Sequence, residues 1–187
     1  MKKSLGKKTL ILPTPTLMVG TYDSNGKANL MTVAWGGVCS SNPPSVAVSL
    51  QRPRYSYESI MEQKVFSVCI PSSGYAEAVD YCGVASGRDR DKLKEKGLTA
   101  IRHEEFNVPI IAEFPMALIC RVIHEHDLGS HVQFVGEIMD VLVDEDKLNE
   151  KGLPDISLVD PLVYDTAGKA YLKVGEKVLG AFLPIKE

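Results

Sequence analysis

The sequence contains no long hydrophobic run. The apolar stretch near its start, residues 10–12, is broken by Pro13 and Pro15, so no h-region of a secretory signal forms there. Nothing approaches the roughly 18 consecutive apolar residues that a membrane-spanning helix requires. We therefore expect a cytoplasmic protein without a membrane partner.

Cysteine is scarce, and its positions are scattered. Four cysteines occur, with no C-x-x-C pair among them: Cys39, Cys69, Cys82 and Cys120. This spacing is typical of neither a disulfide framework nor a zinc or iron–sulfur site. The sequence also lacks a Gly-x-Ser-x-Gly elbow, a Walker loop and a Gly-x-Gly-x-x-Gly fingerprint. Hydrolase, P-loop and Rossmann functions therefore have no motif support.

An excess of positive charge is missing as well. The formal net charge is -3, whereas a nucleic-acid-binding protein normally shows a basic patch or stripe, so we expect no nucleic-acid partner. Four lysines fall within residues 1–8, a segment predicted to be a flexible, solvated tail. A chain of 187 residues with 44% hydrophobic and 24% charged residues fits one soluble domain, 1–187.

Strand signals dominate what is present. Asn25-Gly26 supplies the positive φ angles of a hairpin turn between predicted strands 17–22 and 28–35. A second hairpin joins 116–124 to 131–143, and a last pair is predicted at 169–174 and 177–182, turning at Gly175. Short strands without βαβ alternation indicate a mainly β fold, an antiparallel barrel with short helices.

Three short helices are predicted between these strands. The first spans 57–63 with Ser56 as its N-cap, since a serine oxygen there accepts from an unpaired backbone N–H. The second spans 75–84. The third spans 89–96, because it begins with acidic residues, ends with lysines and stops at Gly97.

The first candidate site is the strand 29–35. Its alternation places Asn29, Met31 and Trp35 on one face and Thr32 and Ala34 on the other. Both faces mix apolar and polar groups. One interpretation is a buried strand whose polar groups are satisfied. The other is the wall of a cofactor site, because a planar ligand needs an apolar slot with a few polar anchors.

Two further segments suggest a phosphate site. Arg54 and Ser56 stand at the start of a predicted helix, where free N–H groups attract anions; taken alone, an ordinary capped helix with a nearby arginine is the commoner explanation. In the segment 86–92, Gly87 permits a tight bend and Lys92 is able to face a phosphate as a point charge. The alternative is a solvated helix start with weak Asp–Arg pairs.

A metal site is a third alternative. His124 and His126 are two residues apart in a predicted strand, and His131 lies across the turn. Three histidines are a known ligand set of small barrel metalloenzymes. No carboxylate ligand is clearly placed beside them, and polar histidines at a hairpin end are the commoner explanation.

Taken in order, these segments resemble the flavin reductase-like family of FMN-binding split-barrel proteins, and within it the flavoredoxins. The resemblance is carried by 29–35, the Ser41-Asn42-Pro43-Pro44 corner, Arg54-Tyr55-Ser56, the segment 86–92, and His131 leading to Gly136-Glu137. It extends from about residue 9 to about residue 183. The fold it implies is an antiparallel Greek-key split β-barrel that binds FMN.

The resemblance also implies where FMN lies. Asn29, Trp35 and Cys39 would border the isoalloxazine ring, and His131 and Tyr164 would complete its pocket. The phosphate and ribityl end would be served by Thr32, Arg54, Ser56 and Lys92. The full set of predicted cofactor contacts is Asn29, Met31, Thr32, Ala34, Trp35, Cys39, Ser40, Arg54, Ser56, Gly87, Lys92, His131 and Tyr164.

The predicted function is electron or hydride transfer through FMN by an FMN-dependent oxidoreductase of the flavin reductase-like or flavoredoxin type. NAD(P)H is one electron donor; the alternative is an electron carrier that exchanges electrons with a redox protein partner. The flavin itself performs this chemistry. His131 is the candidate proton donor, because the pKa of an ordinary histidine lies near working pH. The resemblance implies a homodimer with FMN at or near the interface.

Overall fold

A computed structural model describes residues 1–181 of the chain. Its strands are β1 Thr14–Pro15, β2 Leu17–Tyr22, β3 Ala28–Val33, β4 Gly36–Ser41, β5 Pro44–Leu50, β6 Val65–Ile70, β7 Ala100–Arg102, β8 Pro109–Ile111, β9 Met116–Asp127, β10 Val132–Val143, β11 Leu162–Asp165 and β12 Ala170–Lys173. Its α-helices are α1 Tyr55–Gln63, α2 Ala76–Val84, α3 Lys92–Glu95 and α4 Ile156–Val159.

Seven strands form one antiparallel sheet in the order β3-β2-β6-β9-β10-β5-β4. β3 and β4 are its edges, so the strand ladder is not closed. Ala34 and Trp35 join β3 to β4, so the two edge strands are consecutive in the chain and meet at this corner. The Trp35 carbonyl accepts a hydrogen bond from the Ser49 amide of β5 at 2.8 Å, which extends the β4–β5 ladder. This arrangement confirms the predicted mainly β, antiparallel split barrel.

The two predicted long hairpins are confirmed. The turn after β2 is organised by Asp23, whose carboxylate accepts from the Asn25 and Lys27 amides at 2.9 and 2.8 Å. Gly26 has a φ of +77°, a conformation that glycine adopts without a steric penalty. Asn25 does not have a positive φ, so the predicted positive φ angles of Asn25-Gly26 are reduced to the one at Gly26. The second hairpin pairs β9 with β10, and both of its strands run to twelve residues.

Both faces of β3 are buried, which explains its mixed pattern. Met31 and Val33 belong to the core enclosed by the curved sheet. Leu30 belongs to a second core, formed with Val79 of α2 and Leu93 of α3. The predicted buried strand and the predicted cofactor wall therefore do not exclude each other, since an edge strand with two covered faces still has a free edge.

Three predicted elements differ from the structure. Helix α1 begins at Tyr55 with Arg54 as its N-cap residue, so Ser56 is not the cap; its side chain is buried and bonded to other side chains. The predicted helix 89–96 is reduced to α3, because the Asp91 carboxylate accepts from the Lys94 amide and thereby caps it there.

The predicted C-terminal hairpin is wrong in its pairing partner. β12 pairs with β11, with Tyr164 opposite Tyr171, instead of with residues 177–182. Residues 174–181 contain no strand, and Phe182 lies outside the described residues. The cause is side-chain packing: Tyr164 and Tyr171 lie with ring centroids 5.3 Å apart, and β1 adds to the other side of β11.

Within residues 1–181, no helix is both long enough and apolar enough to span a membrane.

Candidate functional site

Two adjoining clefts run along the free edge of β3. The wide cleft has a volume of about 350 Å³ and is bounded by β3, β5, α2 and the β11–β12 pair. The narrow cleft has a volume of about 270 Å³ and is bounded by β3, the segment 51–55 and the segment 85–92. Met31, Gln51 and Arg54 line both clefts, so the two together form one groove.

Ten of the thirteen predicted cofactor contacts line this groove. Those in the wide cleft are Met31, Thr32, Ala34, Trp35, Arg54, His131 and Tyr164. Those in the narrow cleft are Asn29, Met31, Arg54, Gly87 and Lys92. The structure groups Asn29 with Lys92 and Thr32 with Trp35, the reverse of the grouping that the resemblance implies.

The other three predicted contacts lie outside both clefts. Ser56 is fully buried behind Asn29 and accepts a hydrogen bond from its amide at 2.8 Å. Cys39 and Ser40 lie on the edge strand β4, where Cys39 is exposed. The structure thus assigns Ser56 to supporting Asn29, and a role of Cys39 or Ser40 in ligand binding stays a prediction.

The narrow cleft is positively charged. Lys92 is only 4% exposed, and its Nζ donates to the Cys82 carbonyl at 3.3 Å. Within residues 1–181, neither Lys92 nor Arg54 forms an ion pair with a carboxylate. Desolvation by burial, with smaller contributions from the charges of Arg54 and Lys27, lowers the pKa of Lys92 to about 8, although Cys82 acts in the opposite direction.

Buried charges in proteins are normally paired. A buried ammonium that lines a cleft without a carboxylate partner is therefore suited to a negatively charged ligand. Arg54 and Lys27 add to the positive charge near the narrow cleft, because hydrogen bonds to backbone carbonyls hold their side chains close to it. Arg54 donates to the Gly83 carbonyl at 2.9 Å, and Lys27 donates to the Gly87 carbonyl at 3.1 Å.

Gly87 keeps the narrow cleft compact. A Cβ at this position would overlap Asn29 Oδ1 and stand 2.5 Å from Tyr55 Cδ1. Tyr55 is itself held in place, because its hydroxyl donates to the Asp23 carboxylate at 2.6 Å. Close packing, and not a positive φ, is what requires glycine here.

The wide cleft is aromatic. Trp35 is 40% exposed at its border, and Tyr164 and Tyr171 form a tilted pair on the opposite hairpin. The Tyr171 hydroxyl donates to the Asp80 carboxylate at 3.3 Å. Burial and the Asp80 charge raise the pKa of Tyr171 to about 12, so its hydroxyl stays protonated at neutral pH.

Sequence reasoning missed several lining residues, namely Thr16, Gln51, Asp80 and Tyr171. No local motif marks them, because they come from four different elements or loops. The signal that was available for Tyr171 is its spacing from Tyr164 across the Gly168 turn, which predicts a hairpin with paired aromatic residues.

The three-histidine alternative is not supported. His131 lines the wide cleft, where its Nδ1 lies 2.9 Å from the Ser130 hydroxyl oxygen. His124 and His126 stack on each other with centroids 5.9 Å apart and are exposed on β9. In the part of the chain that the structure describes, no group of three His, Cys, Asp or Glu residues is placed to hold a metal ion.

The protein is thus an antiparallel split-barrel protein, and its groove is cationic at one end and aromatic at the other. The model of the flavin reductase like domain matches residues 9–173. The chain therefore belongs to the flavin reductase-like family.

Known structures and sequences agree with this. The chain is 47% identical to the flavoredoxin of Desulfovibrio vulgaris (Miyazaki F), with a TM-score of 0.93 and coverage of 97% of this chain and 98% of the other. It is 32% identical to the flavoredoxin of Methanosarcina acetivorans, with a TM-score of 0.89 and coverage of 97% and 96%. An uncharacterized protein of Archaeoglobus fulgidus is 34% identical over 70% of this chain and 73% of its own length.

Proposed function

We propose that this protein binds FMN in the groove along β3 and acts as an oxidoreductase through it. The observation that carries the proposal is the buried Lys92, which lines the narrow cleft and has no carboxylate partner among the described residues 1–181. Family membership and the similarity to flavoredoxins support a flavin as the ligand. A single cationic end beside one aromatic cleft favours a flavin that carries one phosphate.

The two clefts accommodate different parts of this ligand. The narrow cleft supplies the Lys92 ammonium and the Arg54 guanidinium, a charged donor set that suits a phosphate. The wide cleft supplies Trp35, Met31 and the tyrosine pair, which suit a planar ring. Gly87 allows Asn29 and Tyr55 to pack closely against the segment 86–92 and thereby keeps the shape of the narrow cleft.

Bound FMN would supply hydride or single-electron chemistry. The residues of the chain would bind it, orient it and limit its access to water. His131 is placed at the wide cleft, and we propose that it holds or delivers a proton near the ring. We propose NAD(P)H as an electron donor, and exchange with a redox protein partner as the alternative.

Titration of the purified protein with FMN tests the proposal. We expect binding with 1:1 stoichiometry, visible as a shifted flavin absorption band and altered flavin fluorescence. Riboflavin, which lacks the phosphate, is the matched control and is expected to bind more weakly. A protein that binds neither flavin would refute the proposal. Anaerobic mixing of the FMN complex with NADH or NADPH, followed by flavin bleaching, then separates the reductase from the carrier.

We also propose that the protein is a homodimer. The groove is open along the edge of the sheet, and the neighbouring strand β4 carries Val38, which is 76% exposed. A partner subunit would cover this apolar surface. Light scattering of the FMN complex is expected to show twice the chain mass; a monomer with FMN bound would contradict the shared site.

FMN affinity is expected to fall as the pH rises from 7 to 9. In the free protein the pKa of Lys92 is about 8, so the ammonium loses its proton through this range, whereas a bound phosphate would raise that pKa. Binding above pH 8 then requires proton uptake, and the dissociation constant increases by up to about tenfold. Cys82, whose pKa burial raises, stays a neutral thiol over most of the range.

Fluorescence titrations at pH 7, 8 and 9 measure this effect. Riboflavin is expected to show no such pH dependence, because it has no phosphate to interact with the ammonium. The same slope for riboflavin and FMN would show that a group other than Lys92 is responsible.

A further inference from the structure

Thr16 stands out among the residues of the wide cleft. It lines this cleft and is only 2% exposed. Its hydroxyl oxygen is shielded from solvent and has no hydrogen-bond partner. Among the buried side-chain nitrogen and oxygen atoms of residues 1–181, Thr16 Oγ1 is the one without a partner.

A buried hydroxyl without a partner costs free energy, because the hydrogen bonds it made to water are not replaced. Two threonines of the adjoining strands β2 and β3 do not bear this cost. Thr21, also 2% exposed, donates to the Ser56 hydroxyl at 3.3 Å. Thr32 donates to the Val79 carbonyl. At position 16 a valine would fill a similar volume without the unsatisfied group, so the hydroxyl is costly unless it serves another purpose.

The position of Thr16 points to that purpose. β2 and β3 pair with Leu17 opposite Val33; Thr16 directly precedes β2 and Ala34 directly follows β3, so continuing this register by one step places the two residues opposite each other. Strand alternation puts Thr16 on the same face as Thr32 and Ala34, both of which line the wide cleft. Thr14, two residues earlier, donates to the Tyr164 carbonyl at 3.2 Å and connects this segment to the tyrosine pair.

We propose that the Thr16 hydroxyl is a hydrogen-bond partner for a polar edge atom of the ring bound in the wide cleft. This inference rests on the proposed function. Rotation of the Thr16 side chain about its Cα–Cβ bond is the one side-chain movement needed to direct the hydroxyl towards a ring bound in the wide cleft. Thr16 then determines specificity: it favours a heterocycle with carbonyl oxygens or ring nitrogens at its edge, such as isoalloxazine, over an apolar planar molecule of similar size.

The comparison of Thr16→Val with Thr16→Ser tests this proposal. Without ligand, the Thr16→Val protein is expected to melt at the wild-type temperature or above, since no hydrogen bond within the protein is lost. Its FMN affinity is expected to fall about three- to tenfold, the usual effect of one hydrogen bond, and its bound-flavin absorption band is expected to shift. Thr16→Ser keeps the hydroxyl and is expected to retain wild-type affinity and spectrum.

Thr21→Val is the matched control for loss of a buried hydroxyl, since Thr21 lies on β2, the strand that begins directly after Thr16. It removes a hydrogen bond within the protein and is expected to lower the melting temperature of the ligand-free protein. If Thr16→Val fails to fold because the valine packs badly, Thr16→Ala provides the same comparison with Thr16→Ser.

Two results would overturn the proposal. The first is wild-type FMN affinity and spectrum in the valine and alanine variants. The second is a lowered melting temperature of ligand-free Thr16→Val while Thr16→Ser is unaffected, which would show that the hydroxyl has a partner inside the protein. Both are distinct from failure of the proposed function, in which the wild-type protein itself binds no flavin.

Discussion

Replacing Lys92 by methionine is expected to weaken FMN binding by about 1.5–3 kcal/mol, a loss of affinity of roughly 10- to 150-fold. The ammonium is buried and lines the narrow cleft, so a phosphate bound there would lose a charge-assisted hydrogen bond. Methionine keeps a side chain of similar length and apolar volume. Fluorescence titration with FMN measures the change.

The same substitution is expected to leave the ligand-free protein as stable as the wild type or more stable. A buried charge without a carboxylate partner opposes folding, and methionine removes it. Urea denaturation of the ligand-free variant measures this effect. Opposite signs for stability and binding are characteristic of a functional charge; a structural lysine would lose stability on replacement.

Lys94→Met is the matched control, since Lys94 is on the same short helix but exposed. It is expected to change neither FMN affinity nor stability appreciably. Unchanged FMN affinity in Lys92→Met would show that the phosphate lies elsewhere in the groove.

Gly87→Ala is expected to lower both the stability of the protein and its affinity for FMN. The added methyl group would overlap Asn29 Oδ1 and the Tyr55 ring. Asn29 is held by its bond to Ser56, and Tyr55 by its bond to Asp23, so neither moves aside without breaking a hydrogen bond. Overpacking of this kind typically costs about 1–3 kcal/mol of stability, and displacement of Asn29 into the narrow cleft should reduce FMN affinity as well.

Urea denaturation and FMN titration measure both effects. Gly74→Ala is the matched control, because a Cβ there has no neighbour within 4 Å and its φ is not in the left-handed region. Wild-type affinity and stability in Gly87→Ala would mean that the segment 86–91 shifts freely and does not shape the cleft.

Local sequence patterns predicted much of the fold. Asn25-Gly26 specified the turn between β2 and β3, and alternation in 116–143 indicated the long hairpin of β9 and β10. In both cases the information lies in neighbouring residues. The C-terminal hairpin was predicted wrongly although it is local: β12 pairs with β11 across the short connection 166–169, where Tyr171 lies opposite Tyr164. The glycine at position 175 suggested a turn further along the chain.

The candidate site divides in the same way. Lys92, Gly87 and Arg54 belong to segments whose residue types suggested an anion site. Ser56 also carries a suitable hydroxyl, but in the structure it lies buried behind Asn29. The packing of α1 against β2 and β3 decides which side of this helix faces the groove. Thr16 and Asp80 belong to no recognisable motif and reach the wide cleft only through the fold.

The sequence by itself therefore determined a mainly β domain of the flavin reductase-like type and the residue types suited to a phosphate. Tertiary structure decided that Asn29 lies at the cationic end and Thr32 at the aromatic end of the groove. It also decided that, within residues 1–181, the buried Lys92 has no carboxylate partner and the Thr16 hydroxyl has no hydrogen-bond partner. The physical reason is the separation along the chain of the residues that interact. Turn conformation and alternation act between residues a few positions apart, whereas burial, pKa and unsatisfied polar groups depend on which distant segments pack around the free edge of β3.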